Sequence, residues 1–464
     1  MENRIVKTLE QHSPEITSAV LAYVKDAGKW DLYHLNPYDL AEKIQVDADQ
    51  LIRWFLHAVN AGAFDLVWNT LCPHCGANEH QHGSLNSIGT EFYCYPCDRG
   101  LTGELDDKVE VVFQPRAIIK DLTYDPFLNE ESFKQFYFSA NFRPSTVLSE
   151  TLEQLNLGFW FAPAGQTKQI SVHCEEGTYR FVSLNHHTQT YVKSTHNGPD
   201  EVTINLSDTG NLPENIEIGT GKVTFNIANQ HEQTAGLNFI QSAGEEQKRK
   251  IKDSNSRFKR FLSGKEVLNL QLFRELFAIQ DLPSDLNLRV GDVTLLFTDL
   301  KGSTALYEDT GDIEAFRLVK DHFALLTQAV SQHRGAVVKT IGDAVMAAFS
   351  HPSDGIKAAL QMLKLISEYN LTSRSQVGLK LGLHQGPALA VNANQSLDYF
   401  GRTVNIAARI QGQADAGEIW FSEAISNNSE ISGLLRDAKF TTESHSVVLR
   451  GIENEVSLLK AFVA

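Results

Sequence analysis

Four cysteines constrain this chain more tightly than any other feature. Cys72 and Cys75, then Cys94 and Cys97, form two Cys-x2-Cys pairs separated by 18 residues within "CPHCGANEHQHGSLNSIGTEFYCYPC". Each pair can direct two thiolates at one point, and two such knuckles at this spacing suit tetrahedral coordination of one structural Zn2+. With four protein ligands no open coordination position remains. The alternative is that the cysteines are simply core residues. A redox pair is disfavoured, because no thioredoxin-like strand and helix pattern flanks either Cys-x-x-Cys. Cys174 stands alone, and the clustering is unlike a disulfide framework spread along a secreted domain.

At 464 residues the chain exceeds one ordinary core, so two to four domains are expected in a multidomain α+β protein. No run of about 18 apolar residues occurs. The start "MENRIVKTLEQHSPE" lacks the apolar stretch of a signal peptide. A cytoplasmic setting without membrane contact is therefore expected. The formal charge of -16 argues against general affinity for nucleic acid or anionic lipid. An anionic substrate would need cations supplied by its own site.

Residues 1–70 read as helices, and "PYDLAEKIQVDADQLIRWFLHAVNAGAFDLVW" resembles a winged-helix unit. Residues 1–110 carry 17 acidic and 8 basic side chains, and Asp47 and Asp49 open the segment that would face DNA. DNA is therefore a disfavoured partner, and a protein-contact or packing module is expected. The cysteine segment, 71–107, is expected to be a zinc ribbon. Residues 108–243 alternate in short runs separated by turn residues, as in a β-sandwich or barrel. Within it, Cys174, His186 and His187 read as core and surface residues. Residues 244–287 begin basic, with seven cations among the thirteen residues from Lys248 to Arg260. A solvated linker is expected there. Val267, Leu268, Leu270, Leu272, Phe273, Leu276 and Phe277 then suit a connector helix, which a second copy could cover.

The chemistry concentrates in 288–464. In "VTLLFTDLKGST" an apolar strand ends at Asp299 and "KGST" opens a helix, which suits a metal ion beside a phosphate chain. "AVVKTIGDAVMAAF" reads as strand, tight Gly342-Asp343 turn and strand, so Asp343 stands at a hairpin tip. If the hairpin lies beside the Asp299 strand, the two carboxylates can share a pair of divalent cations, the logic of two-metal phosphoryl and nucleotidyl transfer. In "LDYFGRTVNIAARIQ", Asn405 and Arg409 are four apart and emerge from one helical face.

"FTDLKGST", "KTIGDAVMAAF", "GLHQGP" and "LDYFGRTVNIAARIQ", in this order and spacing, resemble the class III adenylate/guanylate cyclase catalytic domain. The resemblance implies a ferredoxin-like, palm-type mixed sheet with helices. It implies that Asp299 and Asp343 hold two Mg2+ or Mn2+ per active site, assisted by the Leu300 carbonyl, and that the amides of Gly302, Ser303 and Thr304 cradle phosphates. Lys339 and Asp398 would read the base, Asn405 would orient the ribose, and Arg409 would stabilise charge on the α-phosphate. Arg450 is offered for the outer phosphates. The Lys-Asp pair favours ATP, since guanine presents the opposite donor and acceptor pattern.

In that family the metal carboxylates and the Asn-Arg helix of one site come from different subunits. A head-to-tail homodimer is implied, in which Lys339 and Asp343 of one chain serve different sites. The upstream region resembles the regulatory part of a bacterial cyclase group, which implies an input from an unknown ligand or protein. The expected activity is conversion of ATP to 3',5'-cyclic AMP and pyrophosphate. The alternatives are cyclisation of GTP or a pyrimidine nucleotide, a non-catalytic cyclase-like partner, and a DNA-binding regulator.

Overall fold

The computed structural model describes residues 2–82, 91–102, 108–253, 255–277, 287–301, 312–372, 377–393, 396–452 and 454–463. Its first helices start where side chains can satisfy free amides. Ser13 accepts from Ile16 N ahead of Pro14–Asp26, Asn36 accepts from Tyr38 N ahead of Pro37–Ile44, and Asp47 accepts from Gln50 N ahead of Ala48–Asn60. Their apolar faces close over a small sheet. In it Phe64–Leu71 lies between Asn78–His82 and Val109–Pro115, and Leu262–Ser263 adds to the outer edge of the latter.

The boundary expected at 108 thus separates strands that pair, from Phe64 opposite Pro115 to Thr70 opposite Val109. The reason is apolar. Val109, Val111 and Phe113 point into the helical core, where Phe113 stacks on Phe55 with centroids 4.3 Å apart.

Beyond this unit two sheets pack face to face, one of five strands and one of four. Phe181, Phe225, Phe239, Ile204 and Ile227 fill the space between them, and Cys174 is fully buried there. His186 stacks on His231 at the rim, 3.7 Å between centroids.

The C-terminal sheet is mixed. Its strands run in the order Gly335–Ile341, Ala344–Phe349, Asn287–Lys301, Gly378–Ala393, Ile419–Ser422, Val456–Phe462 and Thr441–Val447, and Ser396–Phe400 pairs with the far half of Gly378–Ala393. Helices Asp312–Gln332 and Pro352–Thr372 cover one face through Leu296, Val345, Ala347, Met362 and Leu383. Strand alternation sends Val293, Leu295, Phe297, Met346 and Ala348 to the other face.

That second face shares one continuous core with the connector and the N-terminal unit. The expected connector helix is two short ones, Gly264–Leu268 and Gln271–Leu276, broken at fully buried Asn269. Val267, Leu268, Leu270 and Phe273 are buried within this chain, so its own N-terminal unit and C-terminal sheet cover the face that a second copy could have taken. The basic segment also departs from a solvated linker. The helix Glu245–Lys252 holds surface ion pairs, but Arg257–Phe258 pairs with Phe142–Arg143, Lys259 meets Asp39 at 3.0 Å, and Arg260 lies 4.0 Å from the Tyr38 ring centroid. Among the described residues no helix is long and apolar enough to cross a membrane.

A buried polar cluster locks the junction. Glu266, 8% exposed, accepts from Tyr38 Oη at 2.9 Å, Arg334 Nη2 at 3.0 Å and Ser263 N at 3.0 Å, while Arg334 Nε also meets Asp49 at 3.3 Å. Burial alone would raise the Glu266 pKa. His351 at 3.7 Å, the hydrogen bond from Ser263 N and the charge of Arg334 outweigh it and pull the carboxyl down to about 2, from 4.5. Because the folded value is the lower one, this stabilisation is present above pH 4.5 and is lost as pH falls towards 2. The shift corresponds to roughly 3 kcal/mol at neutral pH. Melting temperatures measured across that window should fall more steeply for the native chain than for Glu266→Gln, and parallel curves would contradict the assignment.

Candidate active site and cysteine cluster

The Asn287–Lys301 strand pairs antiparallel with Ala344–Phe349, Phe297 opposite Met346. Continuing that register brings Asp299, at the end of one strand, to the Gly342-Asp343 turn that precedes the other. Buried Thr298 fixes the alignment by accepting from Val345 N at 3.0 Å. Gly342 has φ +65°, the left-handed conformation that lets the chain reverse directly before Asp343. The two carboxylates are thus presented at the same edge of neighbouring strands.

Their partners differ. Asp299 lies 3.5 Å from Lys380, directly opposite it on Gly378–Ala393. Asp343 Oδ2 is buried and, among the described residues, accepts no hydrogen bond. An orphaned carboxylate oxygen beside a second carboxylate fits hard divalent cations, which favour oxygen donors. His322, 1% exposed, faces this region. Burial lowers its pKa to about 4, against the opposing charge of Asp343, so the ring is neutral at pH 7. Leu300 is buried next to Asp299, whereas Gly302, Ser303 and Thr304 lie outside the described residues.

Lys339 and Asp398, 59 positions apart, meet at 2.6 Å. Asp398 Oδ1 is held by Tyr399 N at 2.8 Å, which leaves Oδ2 for the ammonium. A β-bulge between Val337 and Lys339 re-aims the lysine on its edge strand.

The helix Arg402–Gln411 is anchored by Thr403, whose hydroxyl donates to Pro387 O at 2.6 Å. Asn405 is exposed and Arg409 half-buried. Gly451, at φ +72°, passes so close that a Cβ there would lie 3.5 Å from Arg409 Nη2. The turn that carries exposed Arg450 is thereby brought to the Arg409 guanidinium. Sequence reasoning missed Lys380 and His322. Lys380 is the one charged side chain in the apolar stretch "VGLKLGL", whereas His322, behind Lys320 and Asp321 in "KDHFALL", has no such signal.

The four cysteine Sγ atoms lie within 4.8 Å of one another, Cys72 to Cys97 at 3.8 Å and Cys75 to Cys94 at 3.6 Å. Sulfurs about 2.3 Å from a tetrahedral zinc stand about 3.8 Å apart, so the cluster fits that ion. Burial, then its thiol neighbours, push the Cys94 thiol well up, since thiolates this crowded repel without a cation between them. Arg180 ties the second knuckle to the sandwich, donating to Tyr95 O at 2.8 Å and Pro96 O at 3.0 Å.

Comparison with known proteins identifies both parts of the chain. The pattern described as the adenylate and guanylate cyclase catalytic domain matches residues 287–457, and the Family of unknown function (DUF5939) matches residues 2–275. An adenylate cyclase of Anabaena cylindrica is 29% identical over 182 residues, 35% of this chain and 34% of its own length. Guanylate cyclase 32E of Drosophila melanogaster is 29% identical over 145 residues, 28% of this chain and 12% of its own length. The chain thus spans about a third or less of these relatives. The crystal structure of the adenylyl cyclase CyaB from P. aeruginosa aligns with 38% of this chain and 96% of that one, at 21% identity and a TM-score of 0.33. The chain belongs to the DUF5939 family through its N-terminal region and carries a class III adenylate/guanylate cyclase catalytic domain behind it.

Proposed function

We propose that the chain is an adenylate cyclase that converts ATP to 3',5'-cyclic AMP and pyrophosphate in the cytoplasm. The observation that carries the reading is the Lys339-Asp398 pair at 2.6 Å, which sets a donor and an acceptor side by side. Adenine offers the matching edge, with N1 accepting from the ammonium and the N6 amine donating to the carboxylate. Guanine offers the reverse pattern, which would leave both side chains facing like partners.

Asp299 and Asp343 are the residues that would hold two Mg2+ or Mn2+, with the Leu300 carbonyl assisting. When bound, such cations polarise the phosphoryl oxygens and lower the pKa of the attacking 3'-hydroxyl. Asn405 orients the ribose, and Arg409 neutralises charge that develops on the α-phosphate. Gly302, Ser303 and Thr304 cradle the phosphate chain, and Arg450 reaches its outer end.

The active assembly is a head-to-tail homodimer, in which one chain's carboxylates face the Asn405-Arg409 helix of the other. Zn2+ occupies the cysteine cluster in a structural role, and the N-terminal region acts as the regulatory input. In this reading the catalytic unit spans 288–464, and the regulatory part before it is tied together by one sheet with strands from the segments to 70, to 107, to 243 and to 287.

Incubation with each of ATP, GTP, CTP and UTP and Mn2+ or Mg2+, with products identified by mass spectrometry, tests the reading. Cyclic AMP should dominate. Cyclic GMP as the main product would overturn the base assignment, and no cyclic product would overturn the activity.

A further inference from the structure

Lys339 and Asp398 sit on strands that are not neighbours in the main sheet order. Among the described residues, Gly335–Ile341 is an edge strand and Ser396–Phe400 pairs only with Gly378–Ala393. Among the described residues no strand hydrogen bond joins the two directly. The connector grips both.

Gln271 Oε1 accepts from Val337 N at 2.8 Å, at the bulge that turns Lys339. Arg274 donates from Nη1 to Leu397 O at 3.0 Å, the carbonyl directly before Asp398, while its Nε is anchored on Leu268 O at 2.9 Å. The Asp398 carboxylate lies within electrostatic reach of this guanidinium. Asn269, fully buried at the break between the two connector helices, accepts from Tyr399 Oη at 2.7 Å and donates to Ser350 Oγ at 3.2 Å. Ser350 directly follows the hairpin's second strand.

Three polar side chains in six residues thus reach the backbone or side chains flanking both base-reading groups. A connector needed only for tethering would be served by its apolar residues alone. Buried amides and guanidinium groups in such a place are costly unless satisfied; Asn269 is satisfied on Tyr399 and Ser350, and Arg274 is held through Nε and Nη1 while its Nη2 has no partner among the described residues.

We propose that Asn269, Gln271 and Arg274 are positioning residues for base recognition, holding Lys339 and Asp398 at the separation that selects the purine. The inference rests on the nucleotide-cyclase reading and assigns part of its selectivity to residues outside the catalytic domain. It also gives the N-terminal region a physical route to the site, because the same connector carries Glu266 at the junction with Tyr38 and Arg334.

The test uses the full chain and two readouts, steady-state kinetics with ATP and GTP and equilibrium binding of the same two nucleotides. Gln271→Leu and Arg274→Ala should raise KM and Kd for ATP about tenfold and shrink the preference for ATP over GTP by a similar factor, with kcat for ATP within about threefold of native. Gln271→Glu keeps the acceptor for Val337 N and should restore native selectivity. Half-saturation by Mn2+ should not move. Equal loss of kcat on both nucleotides at unchanged KM and unchanged binding ratio would overturn the proposal while leaving the cyclase reading intact. If the native chain forms no cyclic product the cyclase reading fails, and the binding ratios alone then decide the positioning role.

Discussion

Asp343→Ala should reduce cyclic AMP formation by about a thousandfold or more at saturating ATP, without lowering the melting temperature. The two halves of this expectation come from one atom. Asp343 Oδ2 is buried without a partner among the described residues, so truncating it removes a desolvation penalty and no native hydrogen bond from that oxygen. A group kept despite that penalty is one reserved for a ligand. Asp299→Ala should cost comparable activity, and it also removes only a partly exposed ion pair to Lys380, worth at most about 1 kcal/mol. Added Mn2+ should raise the native melting temperature by mass action and should leave both variants unmoved. An Asp343→Ala protein with near-native turnover would contradict the metal-ligand role.

Zinc removal should act on stability instead of on the reacting atoms. Purified chain should contain one Zn2+, and Cys94→Ser or chelation should abolish it. Structural zinc contributes about 10–16 kcal/mol to the folding of isolated zinc modules, so losing even about 4 kcal/mol would lower the melting temperature by roughly 4 °C for a unit the size of the whole chain and by more for a smaller one. The loss should spread. The cluster packs with Phe133, Tyr137, Val182 and Leu184, and Arg180 hangs on the carbonyls of Tyr95 and Pro96, so the sandwich is loosened with the ribbon. Near-UV circular dichroism would report this from the aromatic cluster. A metal-free chain with the same melting temperature as the native one would show the cysteines to be ordinary core residues.

The features legible in the sequence were those in which chemistry and geometry are local. Gly342 and Asp343 announce a turn because only certain residues accept a left-handed backbone, and the paired cysteines announce a knuckle by spacing alone. Asn405 and Arg409 share a face because a helix repeats every 3.6 residues. The pairing of Phe64–Leu71 with Val109–Pro115 was not legible, since an apolar strand pattern states that a face is buried and does not name its partner. The same limit hid the connector, whose leucines and phenylalanines specify an apolar face equally well for a second copy or for the chain's own sheet. Asn269, Gln271 and Arg274 carry no signal of their own in the sequence, and only tertiary structure places them on Tyr399, Val337 and Leu397. Lys380 was passed over because its meaning depends on strand register, which sets it opposite Asp299.

The central claim is catalysis at sites completed by two chains, and mixing two inactive variants tests it most directly. Asp299→Ala lacks the metal side of every site and Arg409→Ala lacks the phosphate side. Co-purified in equal amounts under distinct tags, half of the randomly formed dimers would carry one intact site of two, so ATP cyclisation should recover to about a quarter of the native rate. Activity that never rises above that of either variant alone, in preparations shown to contain the mixed dimer, would contradict the account.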